Sequence, residues 1–319
     1  MLRGFMPIRL LNKRDTQPMK IVYIILAHTN HTQTLRLFDR LNKEGVSFVF
    51  HISTTSDPRY FNKVYSALKD QPNCYFAERA VVRWGDFGVV QGTLNAIDTI
   101  YQEKLDYDVA ILLSGQCYPL KPHEVICRTL EKYQGKQLVE YISFSEKEDD
   151  YFDRITLHHF WLGGRHFWYP ILGGRYKLLA ALMNLILLPF VPKRKPMPDG
   201  FLFFKGSLWW TLTRDCVEFI QRHSHSEDGR NLIEFLKKTK HSGETYFQTV
   251  LMNSVYKESL INKDLRYILW DEVEGSIGHP NVLTIGDFEN IASSECLFGR
   301  KFDMQMDAKI LDRIDEFLL

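Results

Sequence analysis

The sequence predicts an α/β fold in which a mostly parallel central sheet is flanked by helices. Three observations predict it. Runs of branched and aromatic residues alternate with segments whose apolar residues recur at helical spacing. The runs are apolar throughout, as in strands buried on both faces. The clearest two, KIVYIILAH (20–28) and AILLS (110–114), break into polar or glycine residues at their carboxyl ends, where open parallel sheets bind ligands.

The elements follow in order. The strand at 20–28 ends in His28-Thr29-Asn30, and TQTLRLFDRLNKEG (32–45) carries helical periodicity closed by a glycine. VSFVFHIS (46–53) is the next strand, PRYFNKVYSALKD (58–70) a helix opened by proline, and NCYFAE (73–78) a short strand. GVVQGTLNAIDTIYQEKL (88–105) is a long amphipathic helix leading into the strand at 109–114. QLVEYIS (137–143) reads as a strand and the acidic EKEDDYFDR (146–154) as a solvated loop or helix start. The aromatic stretch 158–176, with two Gly-Gly-Arg elements, reads as irregular, mobile structure. A strand pair and a helix are expected over 200–223, a helix with a clear start over 242–256, a strand over 265–270, and an amphipathic helix over 307–319.

Composition excludes several classes. With 319 residues, 45% hydrophobic and a formal net charge of +1, the chain has a sizeable core and no charge to hold nucleic acid. Five scattered cysteines, none in a C-x-x-C pair, argue for reduced thiols and a cytoplasmic setting. Residues 1–18 are a basic tail without a signal-peptide core, and the ordered domain is expected from Met19 onward. LLAALMNLILLPFV (178–191) is shorter than the ~20 residues a membrane span needs. A buried helix is the plainer reading of that stretch. The basic residues Arg175, Lys177 and KRK (193–195) support peripheral contact of 178–195 with the inner face of an anionic membrane instead.

No G-x-G-x-x-G, P-loop, G-x-S-x-G or H-E-x-x-H motif is present. His158, His159 and His166 match no zinc spacing and read as packing residues. Asp106 and Asp108 form a D-x-D at the wrong end of their strand for a ligand, so they read as turn and capping residues. The strand end Ser114-Gly115-Gln116, together with His28, frames a pocket. Arg83, Trp84 and Gly85 precede a helix N-terminus that favours anions. Ser242 reads as a helix N-cap with Glu244 in the first turn, where an acidic residue already complements the helix dipole. The same position would fix a carboxylate as a proton acceptor. LFGRKFD (297–303) sets Arg300 and Lys301 between aromatics, a costly place for cations without an anion. Of Trp209 and Trp210, one is expected to fill core and the other to wall a sugar or base.

Seven segments, in order from about Met19 almost to the C-terminus, carry a resemblance: IVYIILAH, VVRWGDFGVVQGTLNAI, YDVAILLSGQCYPLK, GSLWWTLTRDCVEFI, GETYFQTVLMNS, LRYILW and LFGRKFD. Together they resemble the core-2/I-branching β-1,6-N-acetylglucosaminyltransferase and peptide O-xylosyltransferase family, glycosyltransferase family 14, in its bacterial branch. The resemblance implies a GT-A-like fold, a UDP-sugar donor, inversion at the anomeric carbon, and neither metal nor other cofactor. It implies Glu244 as general base, Arg300 and Lys301 as the diphosphate clamp, and Trp209, Trp84 and Gly85 at the sugar pocket. Residues 19–140 would form the nucleotide-binding half, and 141–319 the acceptor and catalytic-base half. The expected reaction is β-1,6 transfer of N-acetylglucosamine to a glycan or lipid-linked glycan in surface-polysaccharide synthesis. The alternatives are xylosyl transfer from UDP-xylose and a non-catalytic sugar-nucleotide-binding protein. Family members often carry Asp at Cys117, Gly at Asp86, Pro-Asp at Ser242-Gly243 and Asp at Ser53, differences that bear on the donor sugar and uridine.

Overall fold

The computed structural model describes residues 18–143, 154–162, 165–169, 177–187, 189–190, 194, 201–270 and 279–319. The first strands and helices alternate as β1 (Ile21–Ala27), α1 (His31–Leu41), β2 (Val46–Ile52), α2 (Pro58–Leu68), β3 (Cys74–Phe76), α3 (Gly88–Gln102) and β4 (Val109–Ser114). There follow β5 (Tyr118–Pro119), α4 (His123–Glu131), β6 (Gln137–Val139), β7 (Ile142–Ser143), β8 (His158–Leu162), β9 (Arg165–Tyr169) and α5 (Lys177–Leu187). The remainder is β10 (Phe204–Lys205), β11 (Trp210–Thr213), α6 (Arg214–Ser224), α7 (Glu227–Leu236), α8 (Tyr246–Met252), β12 (Leu260–Ile261), β13 (Arg266–Ile268), α9 (Phe288–Ser293), β14 (Phe298–Arg300) and α10 (Lys309–Phe317).

The main sheet has seven strands in the order β12-β6-β11-β4-β1-β2-β3, and β11 alone runs against the others. It is therefore the mostly parallel sheet that the apolar runs predict. Strand alternation divides the core. Tyr23 and Ile25 face α1, α2 and α10, while Val22 and Ile24 face α3, α6 and α8. A second, three-stranded sheet, β13-β14-β5, stands at the carboxyl ends of the main strands. α10 is held there by Asp315, which accepts from Tyr118 Oη at 2.8 Å and pairs with Arg36 at 2.6 Å and Arg40 at 2.8 Å. Asp106 and Asp108 cap the opposite end. Asp106 pairs with Lys20 and with Arg214, and Asp108 accepts the Lys20 backbone N–H at 2.7 Å.

Several expectations change. Residues 158–162 and 165–169 pair as antiparallel strands, β8 with β9, rather than as irregular structure, and 163–164 and 170–176 lie outside the described residues. The 137–143 strand divides: β6 enters the main sheet and β7 pairs with β10. β10 and β11 join different sheets instead of each other. α5 is not a core helix, since Leu178 is 90% exposed, Phe190 80%, and Leu182, Leu185 and Ile186 are exposed with them. The basic tail through residue 17, the acidic stretch 144–153, and Arg175, Lys193 and Lys195 fall outside the described residues. Among the described residues no helix is long and apolar enough to cross a membrane.

Two buried polar groups join distant pieces. Gln33, fully enclosed on α1, donates to Gly115 O at 3.2 Å and Phe302 O at 2.9 Å and accepts Met304 N–H at 2.9 Å. Gln33→Met would leave these backbone groups buried and unpaired, at a cost of about 3 kcal/mol. Urea denaturation should show a lower midpoint at an unchanged slope. His51 is enclosed between β2 and α3 and accepts Ala80 N–H through Nε2 at 2.9 Å. Burial, aided by the Arg79 charge, pushes its imidazole from 6.5 down to about 4. The unfolded chain then binds a proton that the folded one refuses, so this contribution is full above pH 6.5 and fades as pH falls toward 4. His51→Gln should flatten that part of the stability–pH curve.

Candidate active site

Chain order reverses beside β1, with β2 on one side and β4 on the other. Such switch points open a crevice at the strands' carboxyl ends. His28 leaves β1 there, and Ser114, Gly115 and Gln116 leave β4. The turn is tight: Ser114 Oγ accepts Gln116 N–H at 3.2 Å and lies 3.4 Å from Cys117 Sγ. Gly115 has to be glycine, because a Cβ would come within 2.9 Å of Thr34 Oγ1 and 3.3 Å of Ala27 Cβ. Phe302 donates its N–H to Gln116 O at 2.9 Å, which lays the Arg300–Phe302 segment along this strand end.

Arg300 supplies the positive charge of the crevice. Its guanidinium lies 4.3 Å above the Trp209 ring, and its buried Nε has no protein partner. Burial lowers its proton affinity, and the neighbouring Arg266 charge adds to that, against the opposing fields of Cys117 and Asp264. His28 feels the same charge. Its imidazole is held below the ordinary value by surrounding atoms first and by Arg300 second, although the residue keeps solvent access. Lys301 is half-buried, its backbone bonded to Asn281 O at 3.4 Å and to Leu283 N–H at 2.9 Å. The peptide between Arg300 and Lys301 is cis. Trp209 and Trp210 are both buried, so Trp209 serves as the bed of Arg300 rather than as an open wall.

Glu244 closes a 3₁₀ turn, Ser242–Glu244, and α8 starts only at Tyr246. Ser242 is not a helix N-cap: its hydroxyl donates to Asp86 O at 3.2 Å. His241, in the left-handed region at φ 55°, donates its N–H to Gly85 O at 2.8 Å. Gly243 packs so closely that a Cβ would stand 2.6 Å from Val89. The turn is thus bolted to the loop carrying Arg83, Trp84 and Gly85. That loop is itself shaped by Asp86, whose Oδ1 accepts Gly88 N–H at 2.8 Å and Arg83 N–H at 3.1 Å. Burial raises the Asp86 carboxyl despite those bonds. Glu244 O accepts Gly206 N–H at 2.9 Å, and three residues later the chain reaches Trp209 beneath Arg300. One short segment therefore ties the carboxylate turn to the cation of the strand-end crevice.

The Glu244 side chain is 42% exposed and pairs with Arg154 Nη1 at 2.9 Å, the arginine itself being only 8% exposed. Lys240, one turn before, lies with its Nζ 5.3 Å above the Trp84 ring. His241 meets Trp84 edge to face at 4.7 Å, and burial followed by the fields of Arg154 and Lys240 lowers it to about 3, so it is neutral. His159 Nδ1 and His166 Nε2 stand 3.0 Å apart in stacked rings. Among the described residues no three His, Cys, Asp or Glu side chains cluster as metal ligands. Sequence reasoning misses Gln33, Arg154 and Lys240. Arg154 sits 90 residues from its partner, and no local pattern announces such a pair.

Comparison with known proteins matches residues 21–292 to the Core-2/I-Branching enzyme family. Among curated relatives, the beta-glucuronosyltransferase GlcAT14A of Arabidopsis thaliana is 24% identical over 95% of this chain and 65% of its own length. Xylosyltransferase 2 of Homo sapiens is 24% identical over 94% of this chain and 34% of its own. The chain thus spans less than two thirds of either relative. A solved structure of the galactosyltransferase LgtC, with donor and acceptor sugar analogs, aligns at 9% identity and a TM-score of 0.41, covering 93% of this chain and 94% of that one. With the family pattern running from β1 through α9, the chain belongs to the Core-2/I-Branching enzyme family, the glycosyltransferase family its seven segments resemble.

Proposed function

We infer that the protein transfers a sugar from a UDP-sugar to a glycan hydroxyl, with inversion at the anomeric carbon and without a metal. The observation that carries this is the half-exposed Glu244 carboxylate, fixed on a bonded turn and joined through 206–209 to a buried Arg300 whose Nε lacks a protein partner. Glu244 takes the proton from the acceptor hydroxyl. The freed oxygen attacks the anomeric carbon as the carbon–phosphate oxygen bond breaks on the opposite face. UDP leaves with that electron pair, and Arg300 and Lys301 stabilise its charge. Arg offers a planar fork to the diphosphate, while Lys adds a point charge. His28, Ser114, Gly115 and Gln116 belong to the nucleotide and sugar pocket, as do Arg83, Trp84 and Gly85, whose loop is bonded to the Glu244 turn and so reaches toward the acceptor. The motifs favour N-acetylglucosamine as the transferred sugar, and the relative named for xylosyl transfer supports xylose as the alternative.

The α5 surface supports a membrane-peripheral location for an enzyme of the bacterial branch, working on a lipid-linked acceptor from the cytoplasmic side. Its exposed leucines are followed by the exposed Phe190, and an apolar surface of this kind fits a lipid interface, whereas Arg194 is turned inward onto Leu157 O, Lys238 O and the Phe235 ring.

Two experiments test these readings. Glu244→Gln should lower turnover by about 10²-fold or more while UDP affinity persists, and turnover of the parent should survive chelator. Arg300→Gln should instead weaken UDP binding. Loss of activity in chelator overturns the metal-free mechanism. If the parent shows no turnover with any UDP-sugar yet binds UDP, the chain is a sugar-nucleotide-binding protein. For α5, Leu182→Glu with Ile186→Glu should abolish sedimentation with phosphatidylglycerol vesicles. Unchanged sedimentation overturns the membrane contact.

A further inference from the structure

On the Glu244 side of the cleft stand two cations besides the diphosphate clamp, Arg154 and Lys240. Arg154 pairs with Glu244 at 2.9 Å, and among the described residues no acid pairs with Lys240. Of the histidines packed there, His241 is pushed down to about 3 and is neutral, and burial holds His166 below its ordinary value. A half-buried ammonium without a counter-ion is a cost that folding does not need. The same Lys240 is held lower than usual by burial and by Arg154, with Glu244 opposing.

What lies under that ammonium narrows the ligand. Trp84 is 59% exposed, yet its ring is held at 4.7 Å by His241 and at 5.8 Å by His279. A large aromatic surface braced in this way while facing water offers a platform with an apolar face and a polar rim. The Trp84 loop is bonded to the Glu244 turn through Gly85 O and His241 N, so platform and base keep one geometry. The charge that matches the Lys240 ammonium is that of a monoanion.

We propose that Trp84, Lys240 and Arg154 form an acceptor subsite for a hexuronic acid residue, whose ring lies on Trp84 and whose carboxylate meets Lys240, with Arg154 adding its field. This rests on the glycosyl-transfer reading in placing the acceptor beside Glu244, and it adds the chemical class of that acceptor. The carboxylate is recognised on the side of the cleft away from Arg300, so the same protein binds two anions at two separate stations.

The test is equilibrium binding to the full chain saturated with UDP, using cellobiouronic acid and cellobiose as probes that differ by one carboxylate. The acidic probe should bind about tenfold more tightly at low salt, and the margin should shrink as salt rises. Lys240→Gln should erase the margin, whereas Trp84→Ala should weaken both probes alike. UDP affinity serves as the folding control for each variant. Equal binding of the two probes, binding of neither, or a margin that survives Lys240→Gln overturns the subsite. A second arm compares UDP-glucuronate with UDP-glucose: if Lys240→Gln erases a preference there instead, the carboxylate belongs to the donor and the acceptor assignment fails. The readout is binding, so it separates from turnover. Glu244→Gln should keep the probe margin, and loss of activity in that variant speaks only to the base.

Discussion

The constraint on which the site depends is a shortage of negative charge behind the strand ends. Arg266 is buried, and its two terminal nitrogens donate to Asp264 O at 2.6 Å, Leu112 O at 3.2 Å and Trp210 O at 3.5 Å, while its Nε, like that of Arg300, has no protein partner. Through those bonds it fastens the small sheet to β4 and β11. Arg300 lies within its field, and the nearby Asp264 is one carboxylate for two cations. Cys117 is buried near both arginines, where an aspartate would add a second carboxylate beside Asp264.

A buried cation remains useful only if the surroundings cannot collapse onto it, and backbone closeness provides this. Gly115 lets β4 end against Ala27 and Thr34, and Gln33 then spans Gly115 and Phe302 through its Nε2 and holds Met304 N–H through its Oε1. Removing water from these bonds makes them stiff as a set, because each leaves a buried orphan if another breaks. On the other side, Gly206 approaches so near Glu140 that a Cβ would lie 1.9 Å from its carbonyl oxygen. The segment from Gly206 to Trp209 is therefore pinned at both ends, and it is the segment that joins Glu244 to the bed of Arg300.

The central strands were legible because strands buried on both faces write themselves as unbroken apolar runs. VAILLS at 109–114 matches β4 residue for residue. Legibility fails where a distant partner decides. Ser242 has the local look of an N-cap, but its hydroxyl serves Asp86, 156 residues away, and the helix starts later than its sequence suggests. It fails again at α5, since an all-apolar helix has the same periodicity in a core or on a surface. The pairing of β8 with β9 was hidden because the Gly-Gly between their sequences reads as a break. Of the site, Glu244, Arg300 and the strand-end residues were visible through pattern and resemblance. Arg154 and Lys240 acquire meaning only from what the fold places opposite them.

In the proposed reaction the two anion stations use different cations, and the difference follows from what each would have to do. At the diphosphate, charge would develop along one direction as the bond to UDP breaks, and a guanidinium already held 4.3 Å over Trp209 would be in place before the reaction starts. Folding has already covered the cost of burying it. Beside Glu244, the hydroxyl to be deprotonated would have to reach the base through a cleft open to water. A flexible ammonium over Trp84 can follow a ligand as it seats, and it does not impose a fork on a group whose approach varies. A rigid cation at the point of bond breaking and a compliant one at the point of entry divide positioning from capture. The polypeptide needs both because the base between them is itself held by a third cation, Arg154, and must keep one oxygen turned toward the substrate.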